Sequence, residues 1–193
     1  MLGADFAGGD DVCLILGDNI FYMGFQMKHY REVVQQNSGT RATIFAYHVS
    51  DPGRFGVVEF NEKHEAVSIE EKPAHHKSNY ACTGLYFYPG DVCARAVTLK
   101  PSARGELEIA DLNNLYLKDG LVSVEPMGCG VAWLDAGTPD SLLNAGQYMQ
   151  IMEKRQGLKI SCVEEIAYHK GFIDDRGIRA YCQKVFEERH ELY

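Results

Sequence analysis

The chain of 193 residues carries 19 Lys and Arg against 27 Asp and Glu, a formal net charge of −8, with 46% apolar and 24% charged residues. These values lie in the ordinary globular range and exclude a disordered tail, a collagenous rod or a coiled coil. The acidic balance, without a basic run, also argues against a nucleic-acid surface, whose affinity comes from many Lys and Arg neutralising phosphates.

Along the chain, apolar runs alternate between periods of about two and about 3.6, the mark of mixed α/β architecture. Val12 to Leu16 reads as a fully buried strand ending in the turn Gly17-Asp18-Asn19. Met27, Tyr30 and Val34 predict a helix from Gly24 to Ser38, stopped at Asn37-Ser38-Gly39. A strand over Ala42 to Val49 closes at Asp51-Pro52-Gly53. Three β-rich stretches follow, Phe55 to Phe60, Ala66 to Lys72 and Tyr80 to Tyr88, and they are expected to include antiparallel pairs. Helices are predicted at Asp91 to Leu99 and Glu106 to Lys118, with short strands at Leu121 to Pro126 and Val131 to Leu134. Thr138-Pro139-Asp140 is a helix start with Thr as N-cap and Pro at the first helical position, and Gly157 is a stop. The remainder reads as further short helices. Without repeats, low-complexity tracts or a linker, the chain is expected to form one domain over 1–193, its C-terminal helices running from about residue 139.

No apolar stretch approaches the ~18–20 residues of a membrane span, and no signal core follows Met1, so a soluble, cytoplasmic protein is expected. The six cysteines, Cys13, Cys82, Cys93, Cys129, Cys162 and Cys182, contain no C-x-x-C pair and read as reduced core thiols.

Two carboxylates stand out by position. Asp18 follows the run VCLIL and Asp135 follows VAWL, and open α/β sheets bind ligands just outside the carboxyl ends of their strands. If those ends are neighbours, the pair suits Mg²⁺, which is commonly held by one or two carboxylates plus phosphate oxygens and water. The plainer alternative is that each Asp caps a turn or a following helix. Glu71 falls on the apolar side of its strand with Val67 and Ile69, so it either points into a pocket or sits at the sheet rim; Lys72 beside it reads as a surface cation. Arg104, ahead of a predicted helix, suits phosphate capture or plain solvation. Gly56 offers close backbone approach or a bulge. His75-His76 lacks metal-site spacing. A phosphatase built around Asp18 fits poorly, because Ile20 stands where a second Asp belongs.

Taken in order, the strings LGDNIFY (16–22), ATIFAYHVSDPGRFGVVEF (42–60), EEKP (70–73), KSNYACTGLYFY (77–88), KPSARGELEIADLN (100–113), AWLDAGT (132–138) and RQGLKISCVEEIAYHKGFI (155–173) carry a resemblance. They closely resemble the thymidylyl-transferring branch of the sugar-phosphate nucleotidyltransferase family, over nearly the whole chain and failing mainly after Asp174. The resemblance implies a Rossmann-like α/β fold with a mixed sheet, and usually a homo-oligomer. It implies transfer of a thymidylyl group from dTTP to glucose 1-phosphate, giving pyrophosphate and dTDP-glucose for dTDP-rhamnose and cell-surface polysaccharide. It implies Mg²⁺ on Asp18 and Asp135, and a sugar-phosphate pocket of Gly56, Glu71, Lys72, Cys82 and Tyr86, with Arg104 on the phosphate. Cys82 stands where the family usually has Val.

One departure bears on activity. The family's nucleotide-binding front, a strand and glycine-rich loop with an Arg and a following Lys, has no counterpart among these residues, nor has the segment that reads thymine. The chain is therefore expected to be an N-terminally truncated member that is inactive alone and exposes an apolar sheet edge. The alternative is a noncatalytic module that binds sugar phosphate or pairs with family subunits.

Overall fold

A computed structural model describes residues 3–190, the side chains of Phe25 and of 184–190 aside. Packing divides the chain after Leu142 into two compact units.

The first unit opens with helix α1 (Ala4–Ala7), strands β1 (Val12–Ile15) and β2 (Asn19–Tyr22), a 3-10 turn (Gly24–Gln26) and α2 (Met27–Asn37). It continues through β3 (Ala42–His48), a second 3-10 turn (Pro52–Arg54), β4 (Gly56–Phe60), β5 (Ala66–Glu71) and β6 (Tyr80–Tyr88). Helices α3 (Val92–Ala96) and α4 (Ile109–Lys118) then lead to β7 (Val122–Met127) and β8 (Ala132–Asp135). The main sheet runs β5-β4-β6-β3-β7, with β1 also on β6, while β2 and β8 form a separate ribbon. Among the described residues only β3 and β7 pair in parallel; β6, antiparallel to β3, leads through α3 and α4 into β7. The other pairings are antiparallel, as expected for the stretches from Phe55 to Tyr88.

Strand β6 organises the unit. Its first residues pair with β4 through Ala81 and Tyr80, and its last four, Leu85 to Tyr88, pair with β1. Side chains alternate across the sheet, so Cys82, Tyr86 and Tyr88 join Ile44, Val58 and Tyr116 in a core against α3 and α4. Leu85 and Phe87 pack on the other side with Phe45, Met23 and Tyr30 of α2. Strand β3 is buried from Ala42 to Ala46 because both its faces are covered: Ile44 is 0% and Phe45 1% exposed, one on each side. Burial of each such side chain stabilises the fold by ~1.5–3 kcal/mol.

Several expectations change here. Val12 to Leu16 is not a fully buried strand: Leu14, Ile15 and Leu16 are 36%, 55% and 42% exposed. Among the described residues β1 pairs only with β6, so its other edge and part of one face stay in solvent, which an apolar run alone does not reveal. The cysteines are free, but only Cys82 is buried, while Cys13, Cys129 and Cys182 are exposed. The helix predicted from Glu106 begins at Ile109, because Gly105 takes a left-handed φ of 78° and Ser102 closes a turn with Glu106. The predicted helix from Gly24 instead opens with a 3-10 turn.

Helix α5 (Pro139–Gln156) starts as predicted, with the Thr138 hydroxyl accepting from the Ser141 amide at 3.2 Å. Within the second unit it gives way at Gly157 (φ 70°) to α6 (Val163–His169) and α7 (Asp175–His190). Glu153 accepts from both Lys159 (2.6 Å) and the Ile160 amide (3.0 Å), fixing the turn after α5, and Tyr168 donates to Asp175 at 2.7 Å. Among the described residues no helix is long and apolar enough to cross a membrane.

Candidate active site

The β2–β8 ribbon brings the two aspartates together. Its register pairs Asn19 with Asp135, placing Asp18 one residue before that pair. The Ala136 amide donates to the Asp18 carbonyl at 2.7 Å, tying the two strand ends together. Gly137 marks the gap: a Cβ there would lie 3.1 Å from Asp135 Oδ1 and 3.4 Å from Asp18 Oδ2. An added Cβ would crowd Asp135 Oδ1 and meet Asp18 Oδ2 at ordinary contact distance, so glycine leaves that space clear.

Asp18 is held by a short relay. Trp133 Nε1 donates to Asn19 Oδ1 at 2.6 Å, and Asn19 Nδ2 donates to Asp18 Oδ1 at 2.7 Å. Gly84 of β6 makes the room, since a Cβ there would come within 2.6 Å of Asn19 Nδ2 and 2.7 Å of its Cγ. The Leu16 amide, donating to the Gly84 carbonyl at 2.8 Å, anchors the same turn to the sheet.

The aspartates stand at the mouth of a cavity of about 500 Å³, lined by Gly56, Glu71, Lys72, Cys82 and Tyr86 among others. That volume is within the usual ~300–1,000 Å³ of small-ligand sites. Gly56 pairs with Glu71 in the β4–β5 register, and Glu71 Oε2 lies 3.2 Å from where a Gly56 Cβ would be. The missing side chain is what lets the carboxylate lean across the pocket. Burial raises the Glu71 pKa, as does the nearby Glu108, while Lys72 and Arg104 oppose the shift. The sequence left Glu71 open between pocket and rim; it lines the pocket and is half-buried.

Cys82 and Tyr86 form the floor. Burial pushes the Cys82 thiol up to about 12, so it is a neutral packing group. Tyr86 is 3% exposed and stacks on Tyr88 at 6.0 Å, its hydroxyl pKa also raised by burial. Lys72 is exposed in a left-handed turn (φ 43°), its amide donating to the Phe55 carbonyl at 3.0 Å, and its side chain borders the cavity. Arg104 lies outside the lining. It is paired with Glu106 at 2.9 Å and Glu108 at 3.7 Å, in front of α4.

Sequence reasoning left out several residues of this wall, Arg54, Asn19, Gly84 and Gly137, and Trp133 behind it. Arg54, which the sequence offers only as one letter of the string 42–60, has its Nη2 3.1 Å from Asp135 Oδ2. No local signal marks it, because its partner is 81 residues away. Gly84 and Gly137 carry a signal only after the strands are paired, when their missing Cβ atoms prove to be the space their neighbours occupy.

A mixed sheet with acidic residues at adjoining strand ends beside a ligand-sized cavity marks an α/β protein with a ligand site where such sheets usually carry one. The chain matches the Nucleotidyl transferase family model over residues 1–151, and it belongs to that family. It is 48% identical over 193 residues to glucose-1-phosphate thymidylyltransferase of Neisseria meningitidis, covering 100% of this chain and 66% of that protein. The similarity thus continues past Asp174, where the recognisable strings end. The Mycobacterium tuberculosis protein of the same name is 49% identical over 178 residues, 91% of this chain and 60% of its own length. A Bacillus anthracis crystal structure assigned as a glucose-1-phosphate thymidylyltransferase, in complex with sucrose, superposes with a TM-score of 0.66 at 43% identity, over 76% of this chain and 57% of that one. A UDP-glucose pyrophosphorylase complexed with UDP-glucose, at 20% identity and a TM-score of 0.64, shares the fold over 76% of this chain and 58% of its own. The chain spans 66% of the length of its Neisseria relative.

Proposed function

We propose that the cavity binds glucose 1-phosphate and that the site serves thymidylyl transfer from dTTP to that sugar phosphate, releasing pyrophosphate and forming dTDP-glucose. The observation that carries the reading is the convergence of Asp18 and Asp135 on the space left by Gly137, at the mouth of the Glu71–Lys72 cavity. The names of the similar proteins support the substrates.

The donor set suits Mg²⁺. Among the described residues no group of three or more His, Cys, Asp or Glu forms a complete protein cage. Two carboxylates with room between them match a hard cation that takes its remaining ligands from phosphates and water. Bound there, Mg²⁺ would supply neutralisation of charge on the nucleotide's α-phosphate and the leaving pyrophosphate.

The chain's own residues do the positioning. Lys72 holds the sugar's phosphate, with Arg104 contributing once it leaves Glu106 and Glu108; Glu71 accepts hydrogen bonds from sugar hydroxyls, and Cys82 and Tyr86 form an apolar floor that excludes water. A phosphate dianion is already a nucleophile, so alignment and charge neutralisation rather than a general base carry the rate.

Among the described residues no glycine-rich loop at a strand's carboxyl end cradles a triphosphate. We therefore propose that the 193-residue polypeptide binds sugar phosphate without turning it over. Calorimetry with glucose 1-phosphate and Mg²⁺ tests the first part: binding is expected, weakened about tenfold or more by Lys72→Ala, as for a lost charge-assisted hydrogen bond. A wild-type chain that retains its folded melting transition but takes up no glucose 1-phosphate would defeat the reading. Addition of dTTP separates the catalytic from the noncatalytic form: pyrophosphate at the blank level is expected, and release above it would place catalysis within these residues.

A further inference from the structure

Two arginines of the first unit, Arg95 and Arg54, are held in contrasting ways. Arg95 is built to stay: its Nε lies 2.6 Å from Asp91, its Nη1 2.5 Å from Asp119, and its guanidinium lies 4.4 Å over the Tyr116 ring with the side chain 20% exposed. Arg54 is held loosely. It gives one nitrogen to Asp51 at 3.3 Å and another to Asp135 at 3.1 Å, and 46% of its side chain is in solvent. Neither contact is the two-bond fork that makes Arg–carboxylate pairs strong.

What makes the weaker arginine informative is its partner. Asp135 Oδ2, which takes the guanidinium, belongs to the carboxylate whose Oδ1 faces Asp18 across the Gly137 gap. The Arg54 guanidinium lies 5.3 Å from the Phe55 ring, and Phe55 lies 5.0 Å from Trp133, so an apolar shelf keeps the charge at the rim of the cavity. A positive charge therefore sits on one of the two acids to which a divalent cation would bind.

We propose that Arg54 is the resident counter-ion of this site. It competes with a divalent cation for Asp135, and it turns its charge toward the phosphates of the ligand once the cation has taken that carboxylate. The inference rests on the cation reading given above and adds a residue that the resemblance did not assign. With the Arg54 side chain 46% and that of Asp135 19% exposed, a single-contact pair of this kind is weak enough to be displaced and strong enough to set affinity by a small factor.

The test uses Mn²⁺ alone as the probe, titrated into the 193-residue chain while the electron paramagnetic resonance signal of the free ion is followed. Arg54→Met is expected to bind Mn²⁺ about threefold to tenfold more tightly than the wild type, with Arg54→Lys falling between them. Asp135→Asn is expected to weaken Mn²⁺ binding and to abolish the effect of Arg54→Met when the two are combined. With Mn²⁺ saturating, inorganic pyrophosphate is expected to bind Arg54→Met severalfold more weakly than the wild type. Unchanged or weaker Mn²⁺ affinity in Arg54→Met, while Asp135→Asn still weakens binding, overturns the counter-ion role alone. Mn²⁺ binding that survives both Asp18→Asn and Asp135→Asn overturns the cation reading and this proposal with it. Thermal melts of each variant separate these outcomes from loss of fold.

Discussion

The two walls of the cavity are made by different physics. Its floor, Cys82 and Tyr86 of β6, is the cavity-side end of the main core: Tyr86 stacks on Tyr88, which stacks on Tyr116 at 5.6 Å, and none of the three is more than 3% exposed. Its rim, Asp18 and Asp135 on the small ribbon, is polar and placed by single hydrogen bonds from Asn19, Gly137 and Arg54. The floor is held by packing that the fold needs in any case, whereas the rim is held by contacts that contribute little to stability and, on the proposed reading, govern cation affinity. Substitutions should therefore separate the walls, with floor changes read in stability and rim changes in cation affinity.

The largest effect belongs to the floor. Tyr86→Ala removes a buried ring from the stacked row and is expected to cost ~3–5 kcal/mol, measured as a lowered urea midpoint. Its counterpart at the rim, Asp135→Asn, is expected to leave that midpoint within ~1 kcal/mol of the wild type, while Mn²⁺ affinity falls at least about tenfold. A rim substitution that unfolds the chain, or a floor substitution that does not, would break the division.

The same division explains what could be read without coordinates. Strand β3 was legible because a largely apolar run, broken only by Thr43 before His48, is what burial on two faces demands, and the Thr138-Pro139 helix start because capping is local chemistry. Asp18 and Asp135 were legible as candidates because each closes an apolar strand, and the pairing of β2 with β8 brought them to one gap. Strand β1 misled for the reason β3 did not: composition records apolarity, not whether a neighbouring strand covers the other edge. Arg54 and Gly84 were illegible because their roles exist only between segments distant in the chain, and Asn19 because its tie to Asp18 is anchored by Trp133, far along the sequence. Arg104 was readable as a cation near α4, yet the glutamates beside it, Glu106 and Glu108, claim its guanidinium.

The relay behind Asp18 gives the next, smaller effect and joins the two walls. Asn19→Ala cuts the link from Trp133 to Asp18 and is expected to weaken Mn²⁺ binding about tenfold, the scale seen when a partner behind a metal ligand is lost. Gly84→Ala should reproduce that loss from the floor side, because its new methyl group would occupy the position of the Asn19 amide. If Gly84→Ala leaves Mn²⁺ affinity unchanged while Asn19→Ala lowers it, the floor does not set the rim and the walls are independent.

The smallest effect concerns Glu71, which belongs to both walls: its strand is part of the core sheet and its carboxyl leans into the cavity. Burial raises its pKa above the ordinary 4.5, so across the window from 4.5 up to the raised value the folded chain holds a proton that the unfolded chain has released. More protons bound in the folded state means that stability falls as pH rises through that window, the reverse of a salt-bridged carboxylate. Glu71→Gln keeps the shape and removes the titration, so its urea midpoint, relative to the wild type, is expected to improve on going from pH 4.5 to pH 7. Because Glu71 is only half-buried and Lys72 and Arg104 oppose the shift, the gain is expected to be small beside that of the floor. The same substitution should weaken glucose 1-phosphate binding through the lost carboxylate acceptor, so stability and affinity should move in opposite directions. Parallel loss of both would mean that Glu71 is a structural member of the floor and that the sugar's hydroxyls are held elsewhere.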